Sequence, residues 1–139
     1  MDAFDADVLI YAVVPDHPLG RRVRALFPGE SADAEEIAGT GSVLLLPELL
    51  TKPLRDETTS EVVALAALLA RVDLRPVDEA TARLASVLGA SYGLRAADAV
   101  HLASAVAVGA DRFITNNSSD FPTTISEIEV TYPSELPEP

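Results

Sequence analysis

The sequence predicts an α/β domain, a three-layer α/β/α sandwich around a central, mostly parallel sheet. Two observations carry this expectation. Short apolar runs bounded by Gly or Pro alternate with longer segments of helical periodicity, the pattern of strand–helix–strand units. The apolar residues, 48% of the 139-residue chain, are mainly Leu, Val and Ala, with four Phe, three Tyr and no Trp. An aliphatic core of this kind suits helices packed on both faces of a parallel sheet. The length fits one domain, read as residues 1–131, able to bury a core without disulfide or metal staples.

Taken in order, Ala3 to Ala6 reads as a short strand, and Val8 to Val13 as a helix stopped by Pro15. His17 to Phe27 is a second helix, ending before Pro28-Gly29. The stretch from Gly29 to Gly41, rich in Gly, Ser, Ala and acid, reads as a loop with a short helical piece. Ser42 to Leu46 is an apolar run between Gly41 and Pro47, as expected of a strand buried on both faces. Pro47 then suits the first position of a helix. Ser60 to Val72 is a helix apolar almost all round, so it is either deeply buried or a self-association surface. Leu74 to Val77 is a strand, and Asp78 to Tyr92 an amphipathic helix ended by Gly93. Ala96 to Val108 is a helix stopped by Gly109, followed by strands at Arg112–Thr115 and Ile128–Thr131. The segment 132–139, with three prolines, is expected to fray.

Composition narrows the function. Without cysteine the chain has no disulfide, thiolate zinc site or Cys nucleophile, which suits the cytoplasm. Its acidic start is the opposite of a secretory signal. The longest apolar run, Val62 to Ala70, is far short of the roughly 20 residues that span a membrane. The net charge of −12, with Lys52 as sole lysine, argues against tight non-specific nucleic-acid binding. No Gly-rich phosphate loop is present.

Three acids fall at strand ends or in first helical turns: Asp5 after the first strand, Glu48 two residues past Leu46, and Asp98 just inside the helix from Ala96. The polar stretch Thr115–Asp120 follows the fourth strand. In a parallel sheet these places share one edge, beyond the carboxyl ends of the strands. Oxygens meeting there would suit a hard cation, which would also relieve the repulsion among the acids. Singly, each acid has another explanation: Asp5 can cap a helix, Glu48 and Asp98 can favour a helix dipole, and Arg95 can pair with Asp98.

These residues also carry a resemblance. Phe4-Asp5-Ala6-Asp7-Val8-Leu9-Ile10-Tyr11-Ala12 resembles the opening motif of PIN domains, including VapC-type toxins of toxin–antitoxin pairs. Leu46-Pro47-Glu48-Leu49-Leu50 is similar to their second motif, and Leu94 to Ala105, with Arg95-Ala96-Ala97-Asp98, to their third. Phe113-Ile114-Thr115-Asn116-Asn117-Ser118-Ser119-Asp120-Phe121 is similar to their fourth. The motifs stand in family order and reach to about Phe121. The resemblance implies a Mg²⁺- or Mn²⁺-dependent endoribonuclease, the toxin of a toxin–antitoxin system, working as a homodimer beside a cognate antitoxin. It implies Asp5, Glu48 and Asp98 as catalytic metal-binding acids. Asn117 stands where many members carry a fourth acid; its carbonyl oxygen can ligate, and Asp120 can supply the charge. Asp7 stands where Ser, Thr or Asn is common, and can ligate or orient Asp5. Asp7, Thr115 and Asn116 are expected to support the site. Water activated by the cation would leave a 5′-phosphate and a 3′-hydroxyl on cleaved RNA.

Other residues are less specific. Lys52 and Arg55 can touch RNA phosphate or pair with Asp56 or Glu57. Arg21, Arg22 and Arg24 form either a basic strip or a solvated face. His101 reads first as a packing or surface residue, alternatively as a partner of Asp98 one helical turn away. Tyr11 and Phe121 read as core. Two rival functions remain. Asp5-Ala6-Asp7-Val8-Leu9 also fits the opening of haloacid-dehalogenase-type phosphatases, but that class needs a late lysine, absent here. Alternatively the domain is a catalytically weak binding module whose acidic cleft docks a basic partner.

Overall fold

The computed structural model describes residues 1–29 and 36–139. These form five strands, β1 (Asp2–Phe4), β2 (Gly39–Ser42), β3 (Val72–Arg75), β4 (Arg112–Ile114) and β5 (Glu129–Thr131). They also form the helices α1 (Ala6–Val13), α2 (Pro18–Arg24), α3 (Leu45–Arg55), α4 (Thr59–Leu69), α5 (Glu79–Tyr92) and α6 (Ala96–Ala107). The sheet order is β3-β2-β1-β4-β5, and each neighbouring pair is parallel. The chain winds outward from β1 to β3, then returns past β1 to β4. The winding therefore reverses between β1 and β4, so the loops leaving these strands diverge and open a crevice at their carboxyl ends.

Two apolar clusters lie on opposite faces of the sheet. Strand residues alternate between them: Phe4 and Ile114 join Val8, Leu45, Leu65 and Leu69 from the α1–α4 side. Ala3 and Phe113 join Leu88, Ala99 and Leu102 from the α5–α6 side. This alternation is the two-residue period of a pleated strand covered on both faces. Helices α1 and α2 meet at Gly20, where a Cβ would lie 1.9 Å from the Tyr11 carbonyl oxygen, so the close approach needs glycine. Among the described residues, no helix is long and apolar enough to cross a membrane.

Several expected boundaries move. The second strand is Gly39–Ser42, not Ser42–Leu46; Leu45 and Leu46 already belong to α3, and Pro47 is its third residue. Tertiary packing explains the shift. A Cβ on Gly39 would lie 2.4 Å from Phe4 Cε2, and one on Gly41 2.5 Å from Leu45 Cδ1, so the strand needs residues without side-chain bulk. Leu45 and Leu49, one helical turn apart, are then buried from the helix. The first strand ends at Phe4, one residue before Asp5, and the third runs over Val72–Arg75 rather than Leu74–Val77. The second helix is shorter than expected, Pro18–Arg24, with His17 Nδ1 accepting from Gly20 N as its cap. Helix α4 buries Leu65 and Leu69 but leaves Val63 62% exposed, so it is not the deeply buried helix its composition allowed. The helical piece expected within 29–41 lies partly outside the described residues. The segment 132–139 is laid down rather than frayed: Pro133–Glu135 forms a 3-10 turn, Leu136 is buried, and Arg22 donates to the Ser134 and Leu136 carbonyls and to Glu138.

Candidate metal centre

Asp5 follows β1 directly and caps α1, accepting from Ala6 N at 2.8 Å. Its own N–H donates to the Ile114 carbonyl, which extends the β1–β4 pairing by one residue and brings Asp5 beside Thr115. The Thr115 hydroxyl, fully buried, donates to Asp5 Oδ2 at 2.8 Å and accepts from Asn117 N. One backbone N–H and one buried hydroxyl thus hold the two oxygens of this carboxylate. Burial pushes Asp5 above the usual carboxylate range, while the Thr115 hydrogen bond and the His101 charge oppose that shift.

Asp7 lies in the first turn of α1 and accepts from Asn116 N at 3.0 Å. Its Oδ1 is buried and without a hydrogen-bond partner among the described residues. Burial, then the charge of Asp5, pushes Asp7 up to about 6. Asp98, in the first turn of α6, is likewise raised, by burial first and then by Asp5 and Asp120. Glu48, in the first turn of α3, adds to the negative potential felt by Asp5 and Asp98. Helices α1, α3 and α6 all begin at this edge, so their amino ends favour the acids gathered there.

Asn117 and Asp120 form a local unit. Asn117 Nδ2 donates to Asp120 Oδ2 at 2.8 Å, while Asn117 Oδ1 accepts from Ser119 Oγ and Asp120 N. Asn117 thus ties its amide to the Asp120 carboxylate within one turn of the loop after β4. Asn116 Nδ2 reaches the Tyr11 hydroxyl at 3.4 Å, and Tyr11 stacks on His17 with ring centres 4.5 Å apart. Phe121 is buried against Phe113.

The structure adds His101, which sequence reasoning placed in packing. It is 2% exposed, and its Nε2 lies 3.1 Å from Glu48 Oε2, an ion-pair approach whose angles fall outside a well-aligned hydrogen bond. Burial alone would lower the imidazole, but Glu48, Asp5 and Asp98 outweigh it and hold His101 above its ordinary value. The one signal in the sequence was the helical spacing of Asp98 and His101. Lys52 and Arg55 stay on the exposed side of α3, where Arg55 lies 3.7 Å from Asp56. The basic strip is largely spent on structure: Arg22 holds the chain end, and Arg24 donates to the Ala12 carbonyl.

The donor set suits a hard divalent cation: carboxylate oxygens, raised by burial and mutual repulsion, with one buried oxygen unpartnered. Among the described residues, no three of these side chains stand together at metal-ligand spacing.

The PIN domain family model matches residues 3–124. The chain belongs to the PIN domain family. Proteins of this family are generally nucleases that use divalent metals. This membership displaces the phosphatase reading of the opening motif. No curated protein matches the chain in sequence. Among solved structures, it resembles a toxin–antitoxin complex from Klebsiella pneumoniae, with TM-score 0.72, 20% identity, and 98% of this chain and 100% of the other covered. It also resembles VapBC2 from Rickettsia felis bound to a promoter DNA fragment, with TM-score 0.68, 16% identity and coverage of 94% and 97%. A third similar structure is FitAB bound to the IR36 DNA fragment, with TM-score 0.66, 20% identity and 99% of each chain covered. At these identities the likeness is one of fold.

Proposed function

We propose that this PIN domain is a Mg²⁺- or Mn²⁺-dependent endoribonuclease and the toxin of a toxin–antitoxin pair. The observation that carries the reading is the placement of Asp5, Asp7 and Asp98 at one sheet edge, with Asp5 held by Ala6 N and Thr115 and the buried Asp7 Oδ1 without a partner among the described residues. Asp5, Glu48 and Asp98 would hold the cation, with Asp120 as the acid that Asn117 steadies. When bound there, the cation supplies Lewis-acid chemistry, activating water and screening the scissile phosphate. Thr115 and Ala6 N keep the Asp5 carboxylate aimed, and Asn116 N holds the Asp7 carboxylate from the loop after β4. Lys52 and Arg55, on the same side of α3 as Glu48, would contact flanking phosphates. RNA meets an otherwise acidic protein through the cation and these few basic side chains.

The partner would be an antitoxin that places basic side chains in the acidic crevice. The likeness to a toxin–antitoxin complex and to VapBC2 on promoter DNA supports an antitoxin as the partner. A homodimer would use the exposed apolar side of α4, around Val63. The separation of the acids in their present positions favours the second reading, a catalytically weak docking module.

Calorimetric titration of Mn²⁺ into the protein and into the Asp5→Asn, Asp98→Asn double variant tests the proposal, followed by RNA cleavage. Binding and cleavage by the parent alone are expected. Equal binding by both, or by neither, moves the docking module ahead.

A further inference from the structure

His101 is a buried ionisable side chain to which the proposed chemistry assigns no part. It lies on α6, one turn beyond Asp98, and is 2% exposed. Neither ring nitrogen has a well-aligned hydrogen-bond partner among the described residues, yet Nε2 lies 3.1 Å from Glu48 Oε2. Glu48 comes from α3, so this contact links two helices that enter the site from separate crossovers. A buried imidazole costs free energy unless a polar or charged group compensates it, and Glu48 is the group in contact. The Glu48 side chain is itself about one-third exposed, at 34%, and among the described residues His101 is the ionic partner it meets. A long carboxylate at a solvent edge loses rotamer freedom only where something holds it.

We propose that His101 is a positioning residue for Glu48. The Nε2–Oε2 approach of 3.1 Å ties the carboxylate of α3 to α6 and restricts the positions it can take at the crevice. The inference rests on the reading of Glu48 as a metal-holding acid. It differs from the pairing with Asp98 that helical spacing suggested: both acids feel His101, but Glu48 is the one in contact. Outer partners that orient a metal-holding side chain typically matter 10–100-fold in affinity or activity, so a contact of this type has a measurable consequence.

The experiment uses the full chain with three substitutions, His101→Leu, His101→Gln and Glu48→Gln. In the metal-free protein, the His101 ring nitrogens are observed by long-range ¹H–¹⁵N spectroscopy. A clear shift of Nε2 on Glu48→Gln is expected, and an unchanged ring overturns the proposal without reference to metal or RNA. Mn²⁺ titration is then expected to show His101→Leu weakened at least about tenfold, with His101→Gln, which retains a donor, recovering most of the loss. Equal affinity for His101→Leu and the parent also overturns it. Should His101→Leu fail to fold, the spectra and His101→Gln carry the decision. Failure of the parent to bind Mn²⁺ or cut RNA would instead count against the nuclease reading, while the ring spectra still decide the contact.

Discussion

Strand β1 begins with one aspartate, Asp2, and is followed directly by another, Asp5, and the two have opposite surroundings. At the amino end, Asp2 takes both arms of the Arg112 guanidinium, at 2.8 and 2.9 Å, and the Met1 amino group pairs with Asp111. Asp2 raises Arg112 above its ordinary value, and the amino terminus holds Asp111 below the usual carboxylate range. At the carboxyl end, no Lys or Arg pairs with Asp5 among the described residues; Asp5, Asp7 and Asp98 are all raised. The same residue type on the same strand is neutralised at one end and left in excess at the other. Stability alone favours pairing at both ends. The unpaired end is where a charge from outside the chain has a place to act.

The contrast is sharpest as a double dissociation. Asp98→Asn is expected to lower RNA cleavage by more than about 100-fold, beyond the usual effect of an outer partner, with an unchanged or higher melting temperature. Arg112→Met, which strands Asp2, is expected to cost about 1.5–3 kcal/mol in urea denaturation while leaving the Mn²⁺ isotherm intact. Loss of metal binding in Arg112→Met would erase the distinction between the two ends.

The pH response should also differ between them. Asp7 stands at about 6 in the folded protein against an ordinary 3.8, so the fold holds this proton more tightly than the unfolded chain does. That contribution to stability is complete below the ordinary value and is lost as pH rises through the folded one. The metal-free protein should therefore melt at a higher temperature near about pH 5 than at about pH 7.5. Asp7→Asn should raise the neutral-pH melting temperature and flatten the profile, as should Mn²⁺. A profile indifferent to Asp7→Asn would show that Asp7 is better solvated than its burial implies.

The smallest effect separates two threonines on adjacent strands. Thr115 donates to Asp5, whereas the buried Thr131 Oγ1 has no partner among the described residues. Thr115→Val should cost about 1 kcal/mol in thermal unfolding and weaken Mn²⁺ binding, whereas Thr131→Val should be neutral or stabilising. Equal losses would mean that both hydroxyls act through packing.

The parts of this architecture legible in the sequence were those governed by near neighbours. Asp78 accepts from Thr81 N to open α5, and Gly93, at φ 65°, closes it. Helix α6 has the expected start, at Ala96, and Asp98 falls in its first turn. Strand β2 was misplaced because Gly39 lies against the Phe4 ring and the Asp2 carbonyl, contacts made across the fold. The last eight residues looked like a loose end because Arg22, which holds them, is more than a hundred positions away.

The sequence by itself determined the alternation of strands and helices, the caps that begin α1 and α5, and the acids available at strand ends. Those follow from local periodicity and from the backbone demands of helix termini. Only the tertiary structure decided that Asp5 is clasped by Thr115 and that His101 faces Glu48. The physical reason is that burial and charge act through space. Parallel pairing of Phe4 with Ile114 joins residues more than a hundred positions apart, and the elevation of Asp5, Asp7 and Asp98 arises from that arrangement.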